Sequence, residues 1–295
     1  MSKFSVVIAD RNPAKIQLAA SQWGRAFSDS GTSDHPLLPV IGASNIAQGY
    51  NAALAQVKTE YVVFAHSDAM PITYPRYFCY QRLVERMETV DVLGFCGSDK
   101  FTGASWQASG DLYGQVMNHP PLPDKLDEGT LAAFNSGMRP GSVAIWQRPA
   151  RLIRGIRVAD GYCIVCRTDA LRELGGFWVP ESCPHFHLYD LDLFLRAFAA
   201  GMRTAIATDV YIAHQSHGSY VQPEWAGGVP EFFDRYAGVA DPQIGIASVH
   251  ATIHCNDTRM ALVKLQEQER WMVDEITLRE SPVARTIIPQ VPEGE

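Results

Sequence analysis

Short apolar runs that stop abruptly at polar residues constrain this chain more than any other feature. Phe4–Ala9 is nearly all apolar and rich in β-branched residues, and it gives way to Asp10 and Arg11. Tyr61-Val-Val-Phe-Ala65 ends just as sharply in His66-Ser67-Asp68. Apolar runs this short, without alternation, read as strands buried on both faces, as in a parallel sheet covered by helices. Leu37–Ile41 supplies another strand, and Ser44 or Asn45 then sits where a helix cap belongs. Behind it Ile46, Tyr50, Ala53, Leu54 and Val57 fall at helical spacing. Strand, helix, strand describes a βαβ unit whose polar residues lie at the carboxyl end of the sheet, where open α/β sheets bind ligands. The expected class is therefore α/β, a Rossmann-like, mostly parallel sheet flanked by helices.

The same alternation continues downstream. Tyr77–Glu88 reads as a helix and Val90–Cys96 as a strand, while 97–155, rich in Gly, Pro, Asn and Ser, reads as irregular sheet and loops. Tyr162–Arg167 returns as a strand, followed by a helix over Thr168–Leu174 that stops at Gly175-Gly176. A helix over Asp190–Ala200 is stopped by Gly201, and the strand Thr204–Ala213 ends at His214. Gln215–Val229, with Gly218, Gly227 and Gly228 around Tyr220 and Trp225, reads either as a lid or as an ordinary surface loop. A last helix is expected over about Thr258–Glu275, with frayed residues from Pro289 to Glu295.

Composition narrows the partners. Of 295 residues 46% are hydrophobic and 19% charged, enough apolar mass for a full core. A net charge of −7 argues against nucleic acid or an anionic bilayer as main partner, since both reward clustered Lys and Arg. No apolar run reaches the roughly 18 residues of a membrane span, and the first ten residues lack the pattern of a signal peptide. The expectation is a cytoplasmic protein without a transmembrane segment, at most peripheral to the inner membrane face. Six cysteines are scattered along the chain. Cys163 and Cys166 resemble a metal pair only superficially, because i and i+3 on a strand face opposite ways.

Three constellations can carry chemistry. His66 and Asp68, two apart on an extended chain, project to one side and can share a cation; polar turn formers, which commonly end strands, are the plainer explanation of the pair taken alone. Asp190 and Asp192 open a helix, either as dipole-complementing carboxylates or with one of them as a base. His214 and His217 flank a polar loop beside Gly218. All three lie at strand ends or the adjoining helix start, which converge on one edge of a parallel sheet.

At this level Ser44-Asn-Ile-Ala-Gln-Gly-Tyr-Asn51 followed by Tyr61-Val-Val-Phe-Ala-His-Ser-Asp68 resembles the donor half of glycosyltransferase family 2, the GT-A fold. The bacterial "glycosyltransferase-like" branch is most similar. His185-Phe-His-Leu-Tyr-Asp-Leu-Asp-Leu-Phe-Leu-Arg196 and His214-Gln-Ser-His-Gly218 resemble its acceptor half. The resemblance implies a GT-A domain over 1–220, with a donor half to about 98, an acceptor half to about 220, and 221–295 as a lid loop and helical extension. It implies a metal-dependent, inverting transfer from a nucleotide-diphospho-sugar, with a UDP-sugar favoured, to a glycan or lipid-linked glycan in polysaccharide biosynthesis. Asp68 takes the second position of the aspartate–any–aspartate motif and would hold Mn²⁺ or Mg²⁺, with Mn²⁺ favoured. His66 replaces the first aspartate, as a further ligand or a donor contact, and His214 matches a trailing ligand. Asp10 and Arg11 match nucleotide contacts, Asn51 faces that pocket or packs its helix, and Asp160 and Gly161 match the strand under the transferred sugar. Asp190 matches the general base, supported by Asp192, as helix cap or orienting group, and by His217. A sugar nucleotidyltransferase would want a basic, glycine-rich N-terminal loop, which Ala9–Pro13 lacks. A catalytically silent nucleotide- or sugar-binding protein on the same fold, and more remotely a zinc hydrolase using His185, His187, Asp190 and His214, are the other readings.

Overall fold

A computed structural model describes residues 2–28, 31, 35–73, 77–109, 111–118, 141–179, 187–214, 223–236, 238–239, 241 and 251–255. The fold is α/β. Its central sheet comprises β1 (Phe4–Asp10), β2 (Leu37–Ile41), β3 (Tyr61–His66), β5 (Val92–Gly94), β9 (Leu152–Arg154), β11 (Cys163–Arg167) and β12 (Thr204–Ala207). The spatial order is β2-β1-β3-β11-β5-β12-β9. β11 and β9 are reversed and the other strands run together, so the sheet is mostly parallel. A second sheet, β10-β6-β7-β13-β4, uses Val158–Ala159, Cys96–Ser98, Leu112–Asn118, Ile212–His214 and Ala69–Pro71, with β8 (Gly141–Ile145) and β14 (Ala251–Cys255) alongside.

Helices cover both faces of the central sheet. α1 (Pro13–Ser28) and α3 (Tyr77–Met87) cover one, and α2 (Ile46–Leu54), α4 (Thr168–Glu173) and α5 (Tyr189–Ala199) the other. Alternation along β1 shows how: Phe4, Val6 and Ile8 join Trp23 and Phe27 of α1, while Val7 and Ala9 join Ile46 and Tyr50 of α2. Asn45 caps α2, its side chain accepting from the Gln48 amide at 3.1 Å. Cys163 enters one core and Cys166 the other, both as buried free thiols.

Several elements differ from the expectation. α1 was not anticipated, although Ile16, Ala19, Trp23, Ala26 and Phe27 are buried at helical spacing. Val90–Cys96 is two strands, β5 and β6, which enter different sheets at Phe95, and Thr204–Ala213 divides in the same way into β12 and β13. The crossover needs glycine: Gly114 (φ 98°) backs onto the Phe95 carbonyl, where a Cβ would collide. Pro223–Tyr236 is a helix, α6, rather than loop. Phe232 and Tyr236 pack on Phe101, and that burial outweighs the cost of Gly227, Gly228 and Pro230 within the helix. The rest of the loop, 215–222, the helix expected over Thr258–Glu275 and the frayed end lie outside the described residues. No described helix is long and apolar enough to cross a membrane.

Candidate functional site

The end of β3 and the end of β13 meet through β4. His66 closes β3, a tight turn carries Ser67 and Asp68, and β4 then pairs antiparallel with β13 so that His214 faces Ala69. This register brings His66, Asp68 and His214 together, with one ligand atom from each lying within 4.8 Å of the others. His214 Nε2 stands 3.7 Å from Asp68 Oδ1, and Tyr162 stacks on the His214 ring at 4.7 Å and 13°. That Nε2 is buried and has no hydrogen-bond partner among the described residues, an arrangement that costs free energy unless something fills it. Burial lowers the pKa of His66, opposed by Asp68, so its ring stays neutral and able to ligate. An orphaned imidazole nitrogen beside a carboxylate and a second imidazole fits a divalent transition ion such as Mn²⁺ better than Mg²⁺.

Asp190 sits in the first turn of α5, entered through Leu188 at φ 67°, the one non-glycine positive φ among the described residues. Its carboxyl is pushed up to about 7, first by burial and next by the charge of Asp160, although amides of Leu191, Asp190 and Gly161 favour the ionised form. Asp160 is pinned, accepting from Trp106 Nε1 at 3.0 Å and from the Tyr162 amide at 3.1 Å. Gly161 lies against both residues that open α5: a Cβ there would fall 2.5 Å from Tyr189 Oη and 2.8 Å from Asp190 Cβ. Tyr189 Oη contacts His66 Nε2 at 2.8 Å and the Gly161 carbonyl at 3.0 Å, bridging the histidine cluster to the helix that carries Asp190.

Asp10 ties strand β1 to the cluster by accepting from the Ser67 hydroxyl and, at 2.7 Å, from the Asn12 amide. Arg11 is exposed on the same loop. Asn51, for which a donor-facing and a helix-packing role were both open, holds a turn. Its Nδ2 donates to the Phe177 carbonyl and its Oδ1 accepts from the Phe177 amide, each at 2.8 Å, which uses the amide head. Asn51→Ala should therefore lower stability by about 1–3 kcal/mol, the cost of stranding buried backbone groups, and leave nucleotide affinity unchanged; urea denaturation and a binding titration read the two effects separately. Asp192 neither caps α5 nor orients Asp190. It is fully buried and paired with Arg196 Nε at 2.6 Å, Arg235 Nε at 3.0 Å and Tyr236 Oη at 2.5 Å. His217 and His185 lie outside the described residues. Sequence reasoning gave no site role to Tyr189, Ser67, Trp106 or Tyr162; Tyr189, adjacent to Asp190, and Ser67, between His66 and Asp68, carried a signal of position.

No protein-family model and no curated protein sequence matches the chain. Solved structures of related shape include A197 from STIV, at TM-score 0.39 and 10% identity over 73% of this chain and 86% of that one. S. aureus TarS 1–349 in complex with UDP-GlcNAc aligns at TM-score 0.44 and 14% identity, over 82% of this chain and 68% of that one. S. aureus TarS in a longer form aligns at TM-score 0.43 and 12% identity, over 82% of this chain and 40% of that one.

Proposed function

We propose that this protein is a GT-A-type, cation-dependent glycosyltransferase that moves a sugar from a nucleotide-diphospho-sugar to a hydroxyl acceptor with inversion. The observation that carries the reading is one juxtaposition. A cluster suited to a divalent cation (His66, Asp68, His214) is joined through Tyr189 to a carboxyl held at about 7 (Asp190) at the start of a helix. When bound, a divalent cation would neutralise charge growing on the leaving diphosphate. The chain's own groups supply the rest. Asp10, which closes β1, and Arg11 beyond it would meet the nucleotide, and Asp160 and Gly161 would lie under the transferred sugar beside Asp190. A sugar hydroxyl is a weak nucleophile, so Asp190 removes its proton as the glycosidic bond forms. A carboxyl that titrates near neutral pH suits that task, being basic enough to accept a proton and still ionised at working pH. One carboxylate acting on the acceptor implies single displacement, so an α-linked donor gives a β-linked product. UDP-sugars with Mn²⁺ are the first donors to test, and glycans or lipid-linked glycans the first acceptors.

A thermal-shift screen of UDP-, GDP-, dTDP- and CMP-sugars tests the reading. With ligand at about 100 times its Kd the folded state gains about 2.7 kcal/mol, so one nucleotide should raise the melting temperature with Mn²⁺ and fail to do so in EDTA. Asp68→Ala should abolish the difference between the two conditions. Binding that ignores EDTA would remove the cation from the proposal, and binding without transfer or donor hydrolysis would leave a nucleotide-sugar-binding protein.

A further inference from the structure

We infer that Tyr189 sets the tautomer of His66, holding the proton on Nε2 and leaving Nδ1 bare for a cation. The geometry decides the direction of both hydrogen bonds. A phenol carries one hydrogen, and the Gly161 carbonyl, 3.0 Å away, can only accept it. If that hydrogen turned instead to His66, two oxygens would face each other at 3.0 Å in a buried place with no proton between them. The phenol oxygen is then left to accept, and its neighbour at 2.8 Å is His66 Nε2. The chain that satisfies every group runs from His66 Nε2–H to Tyr189 Oη–H to the Gly161 carbonyl. The amide of Gly161 in turn favours the ionised carboxylate of Asp190. One residue thus takes a hydrogen bond from the tyrosine that orients the histidine and gives one to the carboxylate proposed as base.

Orientation of a ligating histidine through its other ring nitrogen is a general requirement of metal sites. Carboxylates and backbone carbonyls usually meet it; here a tyrosine relays a carbonyl. Tyr189 is therefore a positioning residue, with no contact of its own to a reacting atom. Its ring is buried edge-on against Tyr50 and Phe177, at 5.9 and 5.8 Å between centroids, contacts that a phenylalanine would keep. The importance of Nδ1 as a ligand rests on the cation-dependent reading above, whereas the tautomer does not.

The experiment uses the full chain, ¹⁵N-labelled at histidine and stripped with EDTA, with the His66 signals assigned by their loss in His66→Gln. Nitrogen-15 shifts and ring couplings should show His66 in wild type as a single Nε2–H tautomer, and in Tyr189→Phe as an exchange-averaged mixture. Mn²⁺ titration followed by electron paramagnetic resonance, at a temperature where both proteins are fully folded, should show affinity in Tyr189→Phe lowered by about 10- to 100-fold, while the stranded Gly161 carbonyl lowers the denaturation midpoint. A wild-type His66 protonated at Nδ1 would overturn the inference, as would Tyr189→Phe with the same His66 spectrum. Wild type that gives the Nε2–H spectrum but binds no Mn²⁺, even with nucleotide present, would support the tautomer and count against the transferase reading alone.

Discussion

Asp190→Asn is expected to lower turnover by about 10² to 10⁴-fold while leaving donor affinity near wild type. Asparagine keeps the size and one accepting oxygen of aspartate but cannot take a proton, so the loss belongs to the transition state rather than to binding. The same substitution should stabilise the protein above neutral pH. The folded carboxyl titrates at about 7 against an ordinary 3.8, and between those values the folded chain holds a proton that the unfolded chain has released. Stability therefore falls as pH rises through this window and levels off above about 7, by up to about 4 kcal/mol for one such group. Asp190→Asn removes the ionisation and recovers part of that loss, since its oxygen still accepts from the neighbouring amides. Urea denaturation at pH 5 and pH 8 should show wild type losing stability between the two and the variant losing less. The kcat/KM of wild type should fall below pH about 7 as the base becomes protonated. Near-normal turnover in the variant, or a product that keeps the donor's anomeric configuration, would take Asp190 out of the mechanism.

Part of the candidate site was legible because Asp10, His66 and Asp68 end or follow the buried strands β1 and β3. Carboxyl ends gather on one edge only where strands run parallel, as β1 and β3 do. His214 was expected to end a strand of that same sheet; it ends β13 of the second sheet, and the antiparallel pairing of β4 with β13 brings it within ligand range of His66 and Asp68. The direction of a strand was not legible. Cys163–Arg167 reads as a buried run either way round, and only its register against Phe64 and Val92 reverses it. Nor could pattern show that two apolar runs each serve two sheets, because the break at Phe95 is made by a partner, Gly114, nineteen positions away. Polar side chains were hardest. Asn51 on α2 looks like a pocket residue until the Phe177 backbone arrives to occupy it. Tyr189 looks like core until His66 is found at its hydroxyl. In both cases the deciding partner is more than a hundred residues distant in sequence.

Asp192 shows the opposite separation of roles, and Asp192→Ala is expected to cost about 3–5 kcal/mol of folding stability, the range for breaking a buried ion pair from one side. The carboxylate is fully buried and is met by Arg196 and Tyr236 within 2.6 Å and by Arg235 at 3.0 Å. Arg196 is itself committed, donating to the carbonyls of Leu174 at 2.8 Å and Gly176 at 2.7 Å. Removing the carboxylate leaves that guanidinium in place without a counter-charge, and it unfastens Tyr236 at the end of α6 from α5. Arg235 is 42% exposed and can turn to water, so its share of the loss is small. Asp192→Asn, which can still accept from one partner, should fall between wild type and alanine. The measurement is urea denaturation with an unchanged m-value, paired with a nucleotide titration well below the melting temperature. Stability should drop while donor affinity holds, because no partner of Asp192 belongs to the histidine cluster or to the carboxylates beside Gly161. A loss under about 1 kcal/mol would mean that the network is worth no more than a surface ion pair. A loss of donor affinity at full folding would return Asp192 to the site from which its partners remove it.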